Sequence, residues 1–147
     1  MVHALVEVWR TLAPGGVLLD IRPYLPFGPL ELVEGPQARV LGRLDEVEVD
    51  IDSAAADEAI AEVTRRGLFG LDRVDSFYSS AYWGSVGDLR EYLRDWEDHA
   101  RMPRSLAGEA GKSLRHAGPK ARLRLRTYVV VNRLHRTFPK AKPRGPR

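Results

Sequence analysis

The chain has 147 residues, enough for one domain with a real core. Hydrophobic residues at 44% and charged residues at 29% are ordinary for a globular protein, and the lack of cysteine excludes disulfides and thiolate zinc sites. The net charge of +3 conceals opposite stretches: residues 1–100 hold nine Lys/Arg against nineteen Asp/Glu, net −10, and residues 101–147 hold fourteen against Glu109 alone, net +13.

That asymmetry implies either attraction within the fold or a basic surface offered to a partner. No apolar stretch approaches the roughly twenty residues that span a bilayer, so no membrane partner is expected. The first residues, MVHALVEVWR, carry Glu7 in an apolar region and lack a basic lead. They do not read as a signal peptide, and the cytoplasm is the expected compartment.

Ala4, Leu5, Val8, Trp9 and Leu12 recur at helical spacing and make one apolar stripe. Pro14 stops that helix, because the residue before a proline is pushed out of helical geometry. Gly15 and Gly16 permit the positive-φ reversal into a strand over 17–21. Asp20, Arg22 and Tyr24 arrive where this strand leaves the core. In open α/β sheets ligands sit outside the carboxyl ends of strands, which makes 20–24 the first candidate functional stretch.

Residues 23–29, PYLPFGP, read as a proline-rich loop. Apolar runs over 30–33 and 38–41 flank Glu34-Gly35-Pro36, which is turn chemistry, so a small hairpin is predicted. Residues 46–52 alternate acid and apolar, as a half-buried strand or a lead into the next helix. Their carboxylates lack the glycine and terminal glutamate of a calcium loop and read as a solvated face. Ser53 is placed to cap a helix over 54–66, with Asp57 and Glu58 in its first turn, Arg65 and Arg66 in its last, and Gly67 as its left-handed stop.

A strand over 68–78 follows, with Phe77, Tyr78, Tyr82 and Trp83 as an aromatic cluster around its end. Ser85-Val86-Gly87-Asp88 opens a helix whose apolar face is Val86, Leu89, Leu93 and Trp96. Pro103 suits a first helical position; Leu106, Ala110 and Leu114 carry that helix until Gly118. The clearest strand covers 121–131, where Leu123, Leu125, Val129 and Val131 alternate with Arg122, Arg124, Arg126, Tyr128 and Val130. Residues 138–147 are Pro- and Lys/Arg-rich without an apolar pattern. They are expected to be a disordered basic tail, leaving 1–137 as one domain.

The segment ALVEVWRTLAPGGVLLDI resembles the late helix–turn–strand of class I S-adenosylmethionine-dependent methyltransferases. In that family a helix ending in Arg-x-Leu-x-Pro-Gly-Gly leads into the fifth strand, and Arg10, Leu12, Pro14, Gly15 and Gly16 match it. The order of later elements is similar as well. The resemblance implies an α/β fold, the C-terminal half of a Rossmann-like methyltransferase sheet. That half is a three-strand mixed sheet with flanking helices, a small hairpin insertion, and a last strand lying antiparallel between the other two. Strand 17–21 would then have an open edge, where a second copy or a complementing chain can pair.

The family holds its cofactor, S-adenosylmethionine, with a glycine-rich loop after its first strand, and these 147 residues contain no such loop. The resemblance therefore implies a truncated methyltransferase-like protein that neither binds cofactor nor catalyses alone. A cofactor-binding half encoded upstream of Met1 would be its complement. The alternative is a non-catalytic interaction protein, using the open edge or the basic C-terminal third.

No residue is assigned a catalytic role. Asp20, Arg22, Tyr24, Tyr78, Tyr82 and Trp83 are the substrate-side candidates. Asp20 and Arg22 read equally as an ion pair at a sheet end, and the aromatics read either as stacking surfaces for a planar substrate or as core. Arg122, Arg124 and Arg126 are candidates for phosphate contact, implying weak, non-specific nucleic-acid binding, or else one solvated face. Gly111-Lys112-Ser113 is similar to the end of a phosphate-binding loop, but Leu106 stands where that motif needs glycine. His3, His99, His116 and His135 are scattered, so no metal site is expected. Ser76, Ser79 and Ser80 lack a glycine elbow.

Overall fold

The computed structural model describes residues 1–24, 26–46 and 51–138. Among them the order is α1 (Val2–Thr11), β1 (Val17–Tyr24), β2 (Leu30–Glu34), β3 (Gln37–Gly42), β4 (Asp45–Glu46) and α2 (Ile51–Arg65), followed by β5 (Phe69–Trp83), α3 (Val86–Arg94), β6 (Ala100–Arg101), α4 (Arg104–His116) and β7 (Arg122–Arg136). The fold is mixed α/β. Five strands form one sheet in the order β1-β7-β2-β3, with β5 also paired to β7, while β4 and β6 make a separate antiparallel pair.

The end of β7 shows how its neighbours are arranged. The Arg136 amide donates to the Gly16 carbonyl at 2.8 Å, and the next amide, Thr137, donates to the Leu68 carbonyl at 3.0 Å. Successive amides along a strand point to opposite edges, so the chain entering β1 and the chain entering β5 flank β7 here. Both begin where β7 ends, so β7 runs antiparallel to each. The expected three-strand mixed sheet is thus corrected to a five-stranded sheet built on antiparallel pairing. The hairpin is part of it, because β2 pairs with β7 in the register Glu31↔Arg124, Leu32↔Leu123 and Val33↔Arg122.

The chain divides into two compact units. One comprises Met1–Arg22, Asp52–Asp75 and Val130–Arg147. Its core is Ile60, Val63, Phe69 and Leu134, and the predicted stripe of α1 packs on it through Leu5, Val8, Trp9 and Leu12. Ala4 faces solvent. The chain leaves α1 at Leu12 in extended geometry, and Gly15 supplies the positive φ of +73° that turns it into β1. Helix α2 closes with Gly67 at φ +69°, its amide donating to the Thr64 carbonyl and the Leu68 amide to the Val63 carbonyl. This is the left-handed stop expected there. Ser53 does not cap α2: the helix begins at Ile51, and Ser53 lies buried inside it. Residues 47–50 of the acidic run lie outside the described residues, as do residues 139–147 of the basic tail.

The second unit comprises Pro23–Ile51 and Ser76–Val129. Its core gathers Phe27, Leu30, Leu32, Leu89, Leu93, Leu106, Leu123 and Leu125 from the proline loop, the hairpin, both helices and β7. The hairpin turns at Gly35, φ +58°, between Glu34 and Gln37. Ser85 caps α3 as expected, its Oγ accepting from the Asp88 amide at 3.1 Å. Pro103 stands at the cap position of α4, one residue before the first helical position expected for it. Strand β5 continues to Trp83, so Phe77 and Tyr78 lie within the strand, while Tyr82 and Trp83 are its last two residues.

Candidate functional site

Each unit gathers some of the candidate residues. In the first unit, the inward-facing side chains of β1 are Leu18, Asp20 and Arg22. Each nitrogen of the Arg22 guanidinium is engaged: Nε donates to Asp20 Oδ2 at 2.9 Å, Nη1 to the Ser53 carbonyl at 3.0 Å, and Nη2 to Asp57 Oδ1 at 2.7 Å. Asn132 Nδ2 also donates to Asp20 Oδ2, at 2.8 Å. With two carboxylates and a carbonyl on one guanidinium, this arrangement ties β1 to α2 and β7. Asp57 and Asn132 also border a groove of about 450 Å³ with Ile60, Thr64 and Leu71.

The second unit brings Tyr24 and Tyr78 together. Tyr24 meets Tyr128 edge-on at 6.4 Å between ring centroids, and Tyr78 meets Tyr128 tilted at 5.3 Å. The Arg126 guanidinium stands 5.8 Å from the Tyr78 ring centroid, within cation–π range. These rings, with Arg126, Arg43 and the loop carrying Phe27 and Gly28, line a cavity of about 470 Å³. The loop is held at three points. Phe27 is buried and meets Trp96 edge-on at 5.4 Å, the Gly28 amide donates to the Arg126 carbonyl at 2.7 Å, and Arg43 Nη2 donates to the Phe27 carbonyl at 3.2 Å. A Cβ on Gly28 would stand 3.0 Å from the Arg126 carbonyl oxygen, a tight contact that glycine avoids where the loop crosses the strand.

The remaining aromatic candidates separate from this pair. Trp83 packs against the core of its unit and lies 5.0 Å from the Tyr92 ring, the core alternative expected for it. Burial of Tyr92 pushes its phenol pKa up. Tyr82 remains exposed beside Arg124.

The arginine row of β7 points away from buried Leu123 and Leu125, as alternation predicts. Its charges are largely occupied. Arg124 Nε donates to Glu31 Oε2 at 2.8 Å and Arg126 Nη2 to Glu31 Oε1 at 3.1 Å, while Arg122 Nη1 donates to the Pro119 and Ala121 carbonyls. The hydrogen bond that Arg124 donates to Glu31, and after it the one it shares with Tyr82, raises the pKa of Arg124. Glu31 is only 5% exposed, with one carboxylate oxygen on each of the Arg124 and Arg126 guanidiniums. Its place between Leu30 and Leu32 reads as an outward position, and the only signal for its burial is the Arg122/Arg124/Arg126 row that becomes its partner strand.

Lys112 and Ser113 lie inside α4, and Ser113 is committed: its Oγ accepts from Arg39 Nη2 at 2.8 Å and donates to Glu109 Oε1 at 3.2 Å. Among the described residues, no three His, Asp or Glu side chains gather as metal ligands, and no helix is long and apolar enough to cross a membrane.

No family model, curated protein or solved structure matches this chain.

Proposed function

We propose that the chain is the substrate-side half of an S-adenosylmethionine-dependent methyltransferase-like protein, one that neither binds the cofactor nor catalyses by itself. The observation that carries this reading is the antiparallel placement of β7 between the starts of β1 and β5, behind a helix ending in Arg10-x-Leu12-x-Pro14-Gly15-Gly16. Two further features support it. The described part of the chain ends its sheet at β1, the position where a preceding strand of such a sheet would add. Tyr24 and Tyr78, from β1 and β5, come together at one cavity.

In methyl transfer the cofactor's sulfonium makes the methyl group reactive, and the protein supplies positioning and desolvation. Residues of this half would orient the acceptor only. Titration calorimetry of the chain with S-adenosylmethionine should give no heat of binding. A micromolar Kd, which needs about −8 kcal/mol, overturns the reading. Co-expression with the first four strands of a class I methyltransferase supplies the positive arm. The β1 amides should then gain protection from hydrogen exchange, and unchanged exchange counts against the half-domain.

A further inference from the structure

The cavity of the second unit combines three features that define a ligand class. Its walls are aromatic: Tyr24, Tyr78 and Tyr128 line it, their rings meeting edge-on or tilted and not stacked face to face, and Tyr78 is 63% exposed. Its charge is positive, since Arg43 and Arg126 line it and no acidic side chain does so among the described residues. The carboxylate that holds Arg126, Glu31, is shared with Arg124, so one negative charge faces two guanidiniums before Arg43 is counted. Its loop wall is prearranged by buried Phe27 and by the Gly28–Arg126 contact.

We infer that this cavity binds a planar aromatic anion of one or two rings, its π-face on the tyrosines and its carboxylate or phosphate at Arg43. A volume of about 470 Å³ suits a ligand of that size. Flat ring systems stack on Tyr at little entropic cost, and guanidinium is the side chain whose planar fork matches an oxyanion. The inference rests on the methyltransferase reading for the ligand's role as acceptor, and not for its binding.

Three probes decide the matter by calorimetry: 2-naphthoate, its neutral counterpart 2-naphthylmethanol, and AMP. 2-Naphthoate or AMP should saturate one site, with the neutral compound about tenfold weaker or more, since a charge-assisted contact is lost. Whichever anion binds identifies carboxylate or phosphate as the charged group. Arg43→Ala should weaken the anion about tenfold and the neutral compound less, since the neutral compound loses only the loop contact that Arg43 makes to the Phe27 carbonyl. Tyr128→Leu should weaken both, with far-UV dichroism and melting checking that each variant is folded. Absence of binding by both anions, or equal affinity for naphthoate and its alcohol, overturns the inference. A chain that binds neither anion nor S-adenosylmethionine keeps the half-domain reading and loses this one. Binding of both ligands does the reverse.

Discussion

Glu31 is the residue on which the arginine row of β7 depends. A carboxylate that is nearly buried is tolerable only when paired, and here both oxygens accept from guanidiniums at 2.8 and 3.1 Å. Removing it leaves Arg124, itself mostly covered, facing no counter-charge across the β2–β7 register. Glu31→Ala should therefore destabilise the protein by about 3 kcal/mol, within the range for breaking a buried pair from one side. Urea unfolding measures this, and a loss under about 1 kcal/mol would mean that the pair behaves like a surface salt bridge. Arg22 has the same logic in the other unit, where one guanidinium serves Asp20, Asp57 and the Ser53 carbonyl. That sharing favours the ion-pair account of Asp20 and Arg22, while Tyr24 and Tyr78 keep the substrate-side account.

Among the elements, β1 is the one whose surroundings invite a partner. It ends the strand order of the five-stranded sheet, and its outward side chains Val17, Leu19 and Ile21 are 43%, 55% and 58% exposed. An edge strand with exposed apolar side chains pairs readily with another strand, and two copies of one edge can pair antiparallel about a two-fold axis. A second copy is thus the expected occupant when no complementing half is present. Light scattering over a concentration series should give a mass above the 16.5 kDa of one chain. Ile21→Lys, which adds an edge charge, should return it to monomer. Wild-type protein that stays monomeric throughout contradicts the pairing.

For the whole molecule the question is whether the +13 of residues 101–147 is available to an outside partner. Within each unit acids of the N-terminal stretch answer part of it: Glu31 holds Arg124 and Arg126, and Asp72 faces Arg133 at 3.8 Å. Binding to single-stranded RNA should accordingly be weak and non-specific, lost by roughly 0.15 M salt and visible only well below it. Retention that barely changes over a salt series would show a built nucleic-acid site. The stacking rings that such a site needs gather at the tyrosine cavity, which among the row Arg122, Arg124 and Arg126 only Arg126 lines.

Much of the local structure was written in the sequence. Proline before Gly15, Gly67 after α2, Ser85 before α3 and glycine at the hairpin turn act through backbone geometry and caps, which need only near neighbours in the chain. Tyr24, Tyr78 and Arg126 were also legible as candidates, because aromatic and basic residues at strand positions are recognisable one strand at a time. Their meeting was not legible, nor was the role of Arg43 and Phe27, since the cavity depends on which strand lies beside which. The same holds along β7. Alternation placed Leu123, Leu125 and Val129 inside, but the buried positions then shift to Asn132 and Leu134, away from the expected Val131. Period-two patterning reports which side of a strand is apolar, and only the tertiary structure decides which side is covered. Asn132 is buried because Asp20 accepts its hydrogen bond from a strand more than a hundred residues earlier, a compensation that no local pattern carries.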